Sequence, residues 1–305
     1  MIKNKLIAGV LCSLLLGSGF IANASPQEGQ VIEVASASSY SNPSKEETEA
    51  KIERVAIKYG IPPVVLKSIA YVESDMQQFK NGQPYIYGNS YGILQVTPHP
   101  SDGLTYDVNK LKYDIDYNIE MGARLIRSKW DYAFNDGWSV SKVGTMDPRI
   151  LENWYFTLWA YNTWSSKNNP NTNNNAYQLK VINRAKKYYG QDITPVSKSV
   201  LPSSGMPDSK KTYPAPDNTH LIDFIGARVG YTVKDISSKY TGKNSVLKSS
   251  PSGSAIGEIS PSDTLEIIQG PNVYKGDLYY RVEVSKGNGE IADGWVNLKK
   301  AEKIN

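Results

Sequence analysis

The chain has 305 residues, a formal net charge of +4, two histidines and a single cysteine. Charge this close to balance argues against a nucleic-acid binder, which concentrates basic residues on one face. His99 and His220 stand far apart in unlike segments and Cys12 lies in a leader-like stretch, so zinc hydrolysis and thiol or Ser/His nucleophiles lack the residues they need. Carboxylate chemistry remains.

Lys3 and Lys5 precede an apolar run from Leu6 to Ile21, and Ala22-Asn23-Ala24 closes it with small residues. Residues 1–24 therefore read as an export signal peptide, too short and too broken by Gly and Ser to make a comfortable membrane span. Its removal takes away Cys12, so the exported fold is expected to be held by packing and not by disulfides. No stable membrane span is expected after that removal.

Residues 25–43 are rich in Ser, Ala and Gln and read as a flexible tether. Ser44 and Glu47 form a capping box for "ETEAKIERVAIKYG", a helix that stops at Gly60. Pro62 and Pro63 open a second helix containing "IAYVESD", residues 69–75. Leu66, Ile69 and Ala70 share a stripe of that helix, and Glu73 is the next position on it. A carboxylate there either snorkels to solvent, pairs with an arginine, or serves as an acid whose pKa burial raises. Asp75 points elsewhere, so the pattern is one isolated acid and not a dyad.

Residues 76–112 read as loop. Asp114, Ile115, Ile119, Gly122 and Ile126 predict a helix to about Trp130. Another begins near Pro148, with Leu151, Trp154, Leu158 and Tyr161 on one stripe, and "NAYQLKVINRAKKYYG" is the last, ending at Gly190. Five helical segments with little strand signal make residues 44–192 an all-α domain. Residues 193–225, containing "PVSKSVLPSSGMPDSKKTYPAP", read as a linker. Beyond it "TLEII", "LYYRVEV" and "DGWVNL" alternate with period two between turn residues, which predicts a small β-barrel over residues 226–305. The fold class is multidomain α plus β.

Within "NSYGILQVTP", Gly92 permits close backbone approach, and Gln95 offers both donor and acceptor to a sugar; a plain turn-plus-strand is the other reading. In "WAYNTW", Tyr161 faces inward, either as core or towards a cleft that Glu73 also lines.

Taken in order, "ES", "YGILQ", "NIEMGARLI" and "AYN" resemble the soluble lytic transglycosylase domain of the lysozyme superfamily over about residues 50–190. The resemblance implies a lysozyme-like catalytic domain that cleaves the N-acetylmuramic acid–N-acetylglucosamine bond of peptidoglycan without water. It implies Glu73 as the acid that later acts as base, with Ser74 beside it. Gly92, Gln95, Tyr161 and Asn162 match its substrate-cleft motifs, Tyr161 steadying charge near the reacting sugar and Gln95 holding glycan. No cofactor and no metal are implied.

Three departures stand out. Ile93-Leu94 replaces the family's usual Leu-Met, Thr163-Trp164 follows "AYN" where Gly is common, and "NGQPYIYGN" is unusual. Asp102, Asp107 and Glu120 are further carboxylates that could position water, as a hydrolytic muramidase would require. The C-terminal strands resemble the bacterial SH3 domain, which implies a wall-targeting module for peptidoglycan peptides. Tyr279, Tyr280 and Trp295 either form an aromatic groove there or serve as packing. The expected protein is a secreted or wall-associated monomer acting on glycan strands and stem peptides, with a catalytically idle wall-binding protein as the rival from another class.

Overall fold

The computed structural model describes residues 39–135, 137 and 140–304. The expected signal peptide and residues 25–38 of the expected tether lie outside the described residues. Among the described residues no helix is long and apolar enough to cross a membrane.

Helix α1 (Lys45–Lys58) starts where the Ser44 hydroxyl accepts from the Glu47 amide at 3.1 Å, and α2 (Pro63–Ser74) ends at Asp75 in left-handed backbone. Two minimal hairpins follow within the expected loop. Strand β1 (Phe79–Lys80) pairs with β2 (Gln83–Pro84), and β3 (Ile86–Tyr87) pairs with β4 (Ser90–Tyr91). Two-residue strands are too short to show a period. The first hairpin also holds the end of the expected tether, because Tyr40 stacks on Phe79 at 5.1 Å and Asn42 bonds the backbone of Gln78 and Phe79.

Helix α3 (Val108–Tyr113), also in the expected loop, is started by the Asp107 carboxylate accepting from the Lys110 amide. Helix α4 (Ile115–Asp131) begins at its Asp114 cap as its spacing predicts. After β5 (Lys142–Val143), the helix expected from Pro148 opens instead as a tighter 3-10 turn, Leu151–Trp154, before becoming α5 (Tyr155–Asn162). The reason is local. Side chains of Asn153 and Trp154 occupy the Asp147 and Pro148 carbonyls that an α-helical first turn would have used. Helix α6 (Tyr177–Tyr189) ends at Gly190, which takes the left-handed conformation of a helix stop.

The Pro/Ser/Lys-rich segment, expected as a linker over residues 193–225, is instead a strap packed on the helical core. Ile193, Val196, Leu201 and Tyr213 are buried in that core, and β6 (Thr212–Tyr213) runs parallel to β5. Its principal fastening is the fully buried Glu152 carboxylate, which accepts from the Thr194 amide at 2.9 Å and from both the amide and the ring nitrogen of His220 at 2.8 Å.

The C-terminal region is β-rich. Its elements are β7 (Thr232–Asp235), α7 (Ser238–Thr241), β8 (Ser245–Lys248), β9 (Ala255–Ile259), β10 (Thr264–Tyr274), β11 (Asp277–Ser285), β12 (Ile291–Val296) and β13 (Ala301–Lys303). The strands form one antiparallel sheet in the order β13-β7-β10-β11-β12-β8-β9. Register shifts around Gln269 interrupt the β10–β11 ladder, where bulging sharpens twist and helps the sheet curl. Leu265, Ile267, Tyr280, Val282 and Val296 fill its concave core, and Ile57 of α1 joins them. Asp277 at the start of β11 pairs with both Arg127 of α4 (3.2 Å) and Lys299 (3.0 Å).

Removing the buried Glu152 carboxylate strands three donors. Glu152→Ala is expected to cost about 3 kcal/mol in urea unfolding. It should also open the strap to limited proteolysis between residues 202 and 211.

Candidate active site

A cavity of about 720 Å³ lies in the helical region and takes in Glu73 from the last turn of α2, Gln95 from the loop after β4, and Tyr161 and Asn162 from the end of α5. The loop of residues 92–95 organises it. Each backbone donor and acceptor of Ile93 and Leu94 is held by a side chain from a different element. The Ile93 amide donates to Gln78 Oε1 (2.9 Å) and its carbonyl accepts from Ser74 Oγ (2.7 Å). The Leu94 amide donates to Asn118 Oδ1 (3.0 Å) and its carbonyl accepts from the Tyr161 hydroxyl (2.8 Å).

Gln78 and Asn118 are fully buried, and both also donate to the Leu111 carbonyl at 2.9 Å. Gly92 has φ +68, and a Cβ there would collide with both Gln78 and Asn118. The close approach expected of Gly92 is therefore real, but its neighbours are protein amides.

Glu73 is partly buried. Its Oε1 accepts a 2.5 Å hydrogen bond from the hydroxyl of Tyr177, the first residue of α6. Burial raises the Glu73 pKa from 4.5 to about 7, against the opposing pull of the Tyr177 hydroxyl and the Lys180 charge. Tyr177 and Tyr161 stack with ring centres 6.2 Å apart. Both phenols are pushed well above their ordinary range, first by burial and then by the neighbouring Glu73 charge. A carboxyl group that keeps its proton near neutrality, beside an open cavity, is equipped for general acid work.

Residues 51–183 match the family described as Transglycosylase SLT domain. No curated protein and no solved structure matches the chain. The helical SLT domain supports an enzyme acting on peptidoglycan, and a curled β-rich region follows it.

The cavity sorts the expected residues by place. Glu73, Gln95, Tyr161 and Asn162 line the cavity; Ser74 and Gly92 belong to the scaffold behind it. Gln95 folds back on its own loop, its Nε2 donating to the Gly92 carbonyl at 2.7 Å. Asn162 Oδ1 accepts from Asn168, whose own Oδ1 accepts the Tyr177 amide at 3.1 Å and so sets the start of α6. Tyr177 was not among the residues the sequence singled out. It follows Glu73 by 104 positions, and its only local signal is its place at a helix start.

The further carboxylates also separate. Asp102 lines the cavity, with Oδ1 on Lys129 (2.9 Å) and Oδ2 on the Tyr106 hydroxyl (3.0 Å). Asp107 caps α3, and Glu120 is held by Lys58 and Tyr59. Among the described residues no three His, Cys, Asp or Glu side chains converge as metal ligands would.

In the β-rich region the expected groove of Tyr279, Tyr280 and Trp295 needs correction. Adjacent strand residues point to opposite faces, and Tyr280 goes inward with Leu278 and Val282, fully buried. Tyr279 faces the other way, beside Tyr274 and with Lys248 Nζ 5.5 Å from its ring centre; Trp295 sits opposite Arg281 and is partly exposed.

Burial of Glu73 has a measurable cost. The folded protein holds its proton up to about pH 7 and the unfolded chain only to about 4.5, so stability falls as pH rises between those values and is flat beyond them. Glu73→Gln removes the penalty. It is expected to be more stable than the parent by up to about 3 kcal/mol at pH 8 and no more stable at pH 4, measured by denaturant unfolding.

Proposed function

We propose that this chain is an exported peptidoglycan lytic transglycosylase that cleaves the β-1,4 bond between N-acetylmuramic acid and N-acetylglucosamine, with Glu73 as the one acid and base. The observation that carries this reading is a carboxyl group with a pKa of about 7 opening into a cavity of about 720 Å³.

Glu73 protonates the glycosidic oxygen as the bond from the muramic C1 breaks, and the substrate's own acetamido oxygen supports the cation left at C1. The ionised Glu73 then takes the proton of the same sugar's 6-hydroxyl, and O6 bonds to C1 to close a 1,6-anhydro ring. No water enters and Glu73 ends protonated, ready for the next turn. The Tyr177 hydroxyl, donating to Oε1, steadies the carboxylate in the interval between the two proton transfers.

A muramidase would route water to C1 from a second carboxylate. Asp102 is the candidate in the same cavity, but both of its oxygens are engaged by Lys129 and Tyr106. The β-rich region is the proposed wall-holding module, SH3-like in character, with the partly exposed Lys248 and Trp295, neighbours across β8 and β12, as the group that meets stem peptides and the buried Tyr279 packed beneath Lys248. The basic, then apolar, leader would deliver the chain to the wall.

Mass spectrometry of digested peptidoglycan decides between these chemistries. Muropeptides ending in 1,6-anhydro-muramic acid are expected, each lighter by one water than the reducing-end product of hydrolysis. Glu73→Gln should lower turnover by at least about a hundredfold. Because the working form is protonated, kcat/KM should fall as pH rises through about 7. Tyr177→Phe removes a bond that favours the ionised form, so the same fall should move to higher pH.

A further inference from the structure

The wall of the cavity that comes from residues 85–101 carries a side chain with no packing task. Tyr87, at the tip of the β3–β4 hairpin, is 79% exposed and still borders the cavity. Ile291 and Val229 are exposed to a similar degree, but they lie on the β-rich region and the strand-linking chain before it, away from this cavity. What sets Tyr87 apart is position combined with rigid support.

The hairpin turns in two residues, with Gly88 at φ +59. Its base is tied on every side. The Tyr85 amide donates to the Gln78 carbonyl (2.9 Å), and the Tyr85 carbonyl accepts from the Gly92 amide (2.8 Å). Ser90 and Thr97 hydroxyls meet at 2.6 Å, and Tyr91 and Val96 exchange both backbone bonds. The ring is therefore presented on a fixed arm that leads straight into the 92–95 loop. This arm is the "NGQPYIYGN" stretch in which the chain departs from its family.

A pyranose ring has an apolar C–H face and a polar hydroxyl rim. Laying that face on a tyrosine ring removes apolar surface from water while the hydroxyls stay hydrated. Tyr132 and Trp164 add further aromatic surface to the cavity lining, and Asn162 and Thr163 add neutral polar groups. We propose that Tyr87 is a saccharide-stacking platform, seating a sugar of the glycan strand other than the one whose bond Glu73 reaches. The proposal rests on the reading of this cavity as a glycan cleft. Holding a remote sugar fixes the register of the strand over Glu73, the general use of contacts away from the reacting bond.

The test uses the full chain carrying Glu73→Gln, which binds without cutting, titrated by calorimetry with soluble, uncrosslinked glycan strands. Adding Tyr87→Ala is expected to weaken binding by between about threefold and tenfold, the scale of one aromatic contact. Tyr87→Phe and Tyr87→Trp should retain binding, because the ring face and not the hydroxyl carries the contact. In the cutting enzyme, Tyr87→Ala should lower kcat/KM by at least the same factor, through a raised KM and, because register is lost, a lowered kcat. An exposed side chain supports no core, so the thermal midpoint of Tyr87→Ala should match the parent and exclude unfolding as the cause.

Equal affinity of the Tyr87→Ala protein and its parent overturns the platform alone, provided that the enzyme with Glu73 still cleaves strands. Loss in Tyr87→Phe as large as in Tyr87→Ala also overturns it, in favour of a hydroxyl contact. Failure of every form to bind or cleave glycan overturns the platform together with the glycan-cleft reading.

Discussion

Everything at the cavity depends on satisfying the backbone of two residues, Ile93 and Leu94, where no helix or sheet does so. A buried peptide group without a partner costs about 1–3 kcal/mol, so four such groups in one loop are tolerated only if side chains replace the missing ladder. Gln78, Ser74, Asn118 and Tyr161 supply those bonds from the chain after α2, the end of α2, α4 and α5. The consequence is mechanical. The end of α2, which bears Glu73, and the end of α5, which bears Tyr161, are bolted to one small piece of backbone, and a shift of either breaks a buried bond.

That arrangement changes what the motif residues are for. Ser74 stands beside Glu73 in sequence, yet its hydroxyl is spent on the Ile93 carbonyl. Tyr161 borders the cavity with its ring while its hydroxyl holds Leu94, and the direct hydrogen bond to Glu73 comes from Tyr177. The acid thus has two aromatic neighbours with separate tasks, one that fixes the floor and one that touches the carboxylate. Gly122 adds a steric condition: Leu94 packs so tightly against this position of α4 that a Cβ would fall 2.7 Å from the Leu94 Cβ.

The helices were legible because caps and apolar spacing are local: Ser44 and Asp114 start helices, Gly190 stops one, and Glu73 and Tyr161 sit on stripes that their neighbours define. Tyr177, Gln78 and Asn118 were not legible, because a polar residue turned inward looks like any surface residue until its distant partner is known. The strap misled for a related reason. Pro, Ser and Lys dominate its composition, but four apolar anchors and the Glu152 carboxylate, all separated from it in sequence or from one another, decide where it lies. Tyr280 shows the opposite case. The alternation of "LYYRVEV" already assigns Leu278, Tyr280 and Val282 to one face and Tyr279 to the other, so no groove could hold both tyrosines.

A strap with no slack also has a spatial consequence for the two ends of the molecule. A loose cord would let the helical region and the curled sheet reorient freely about each other. Here Ile57 is shared with the sheet's interior, and Asp277 is clasped by Arg127 and Lys299. The sheet and the cleft therefore behave like the two jaws of a fixed gauge: wherever one rests, the other stands at a set offset and angle.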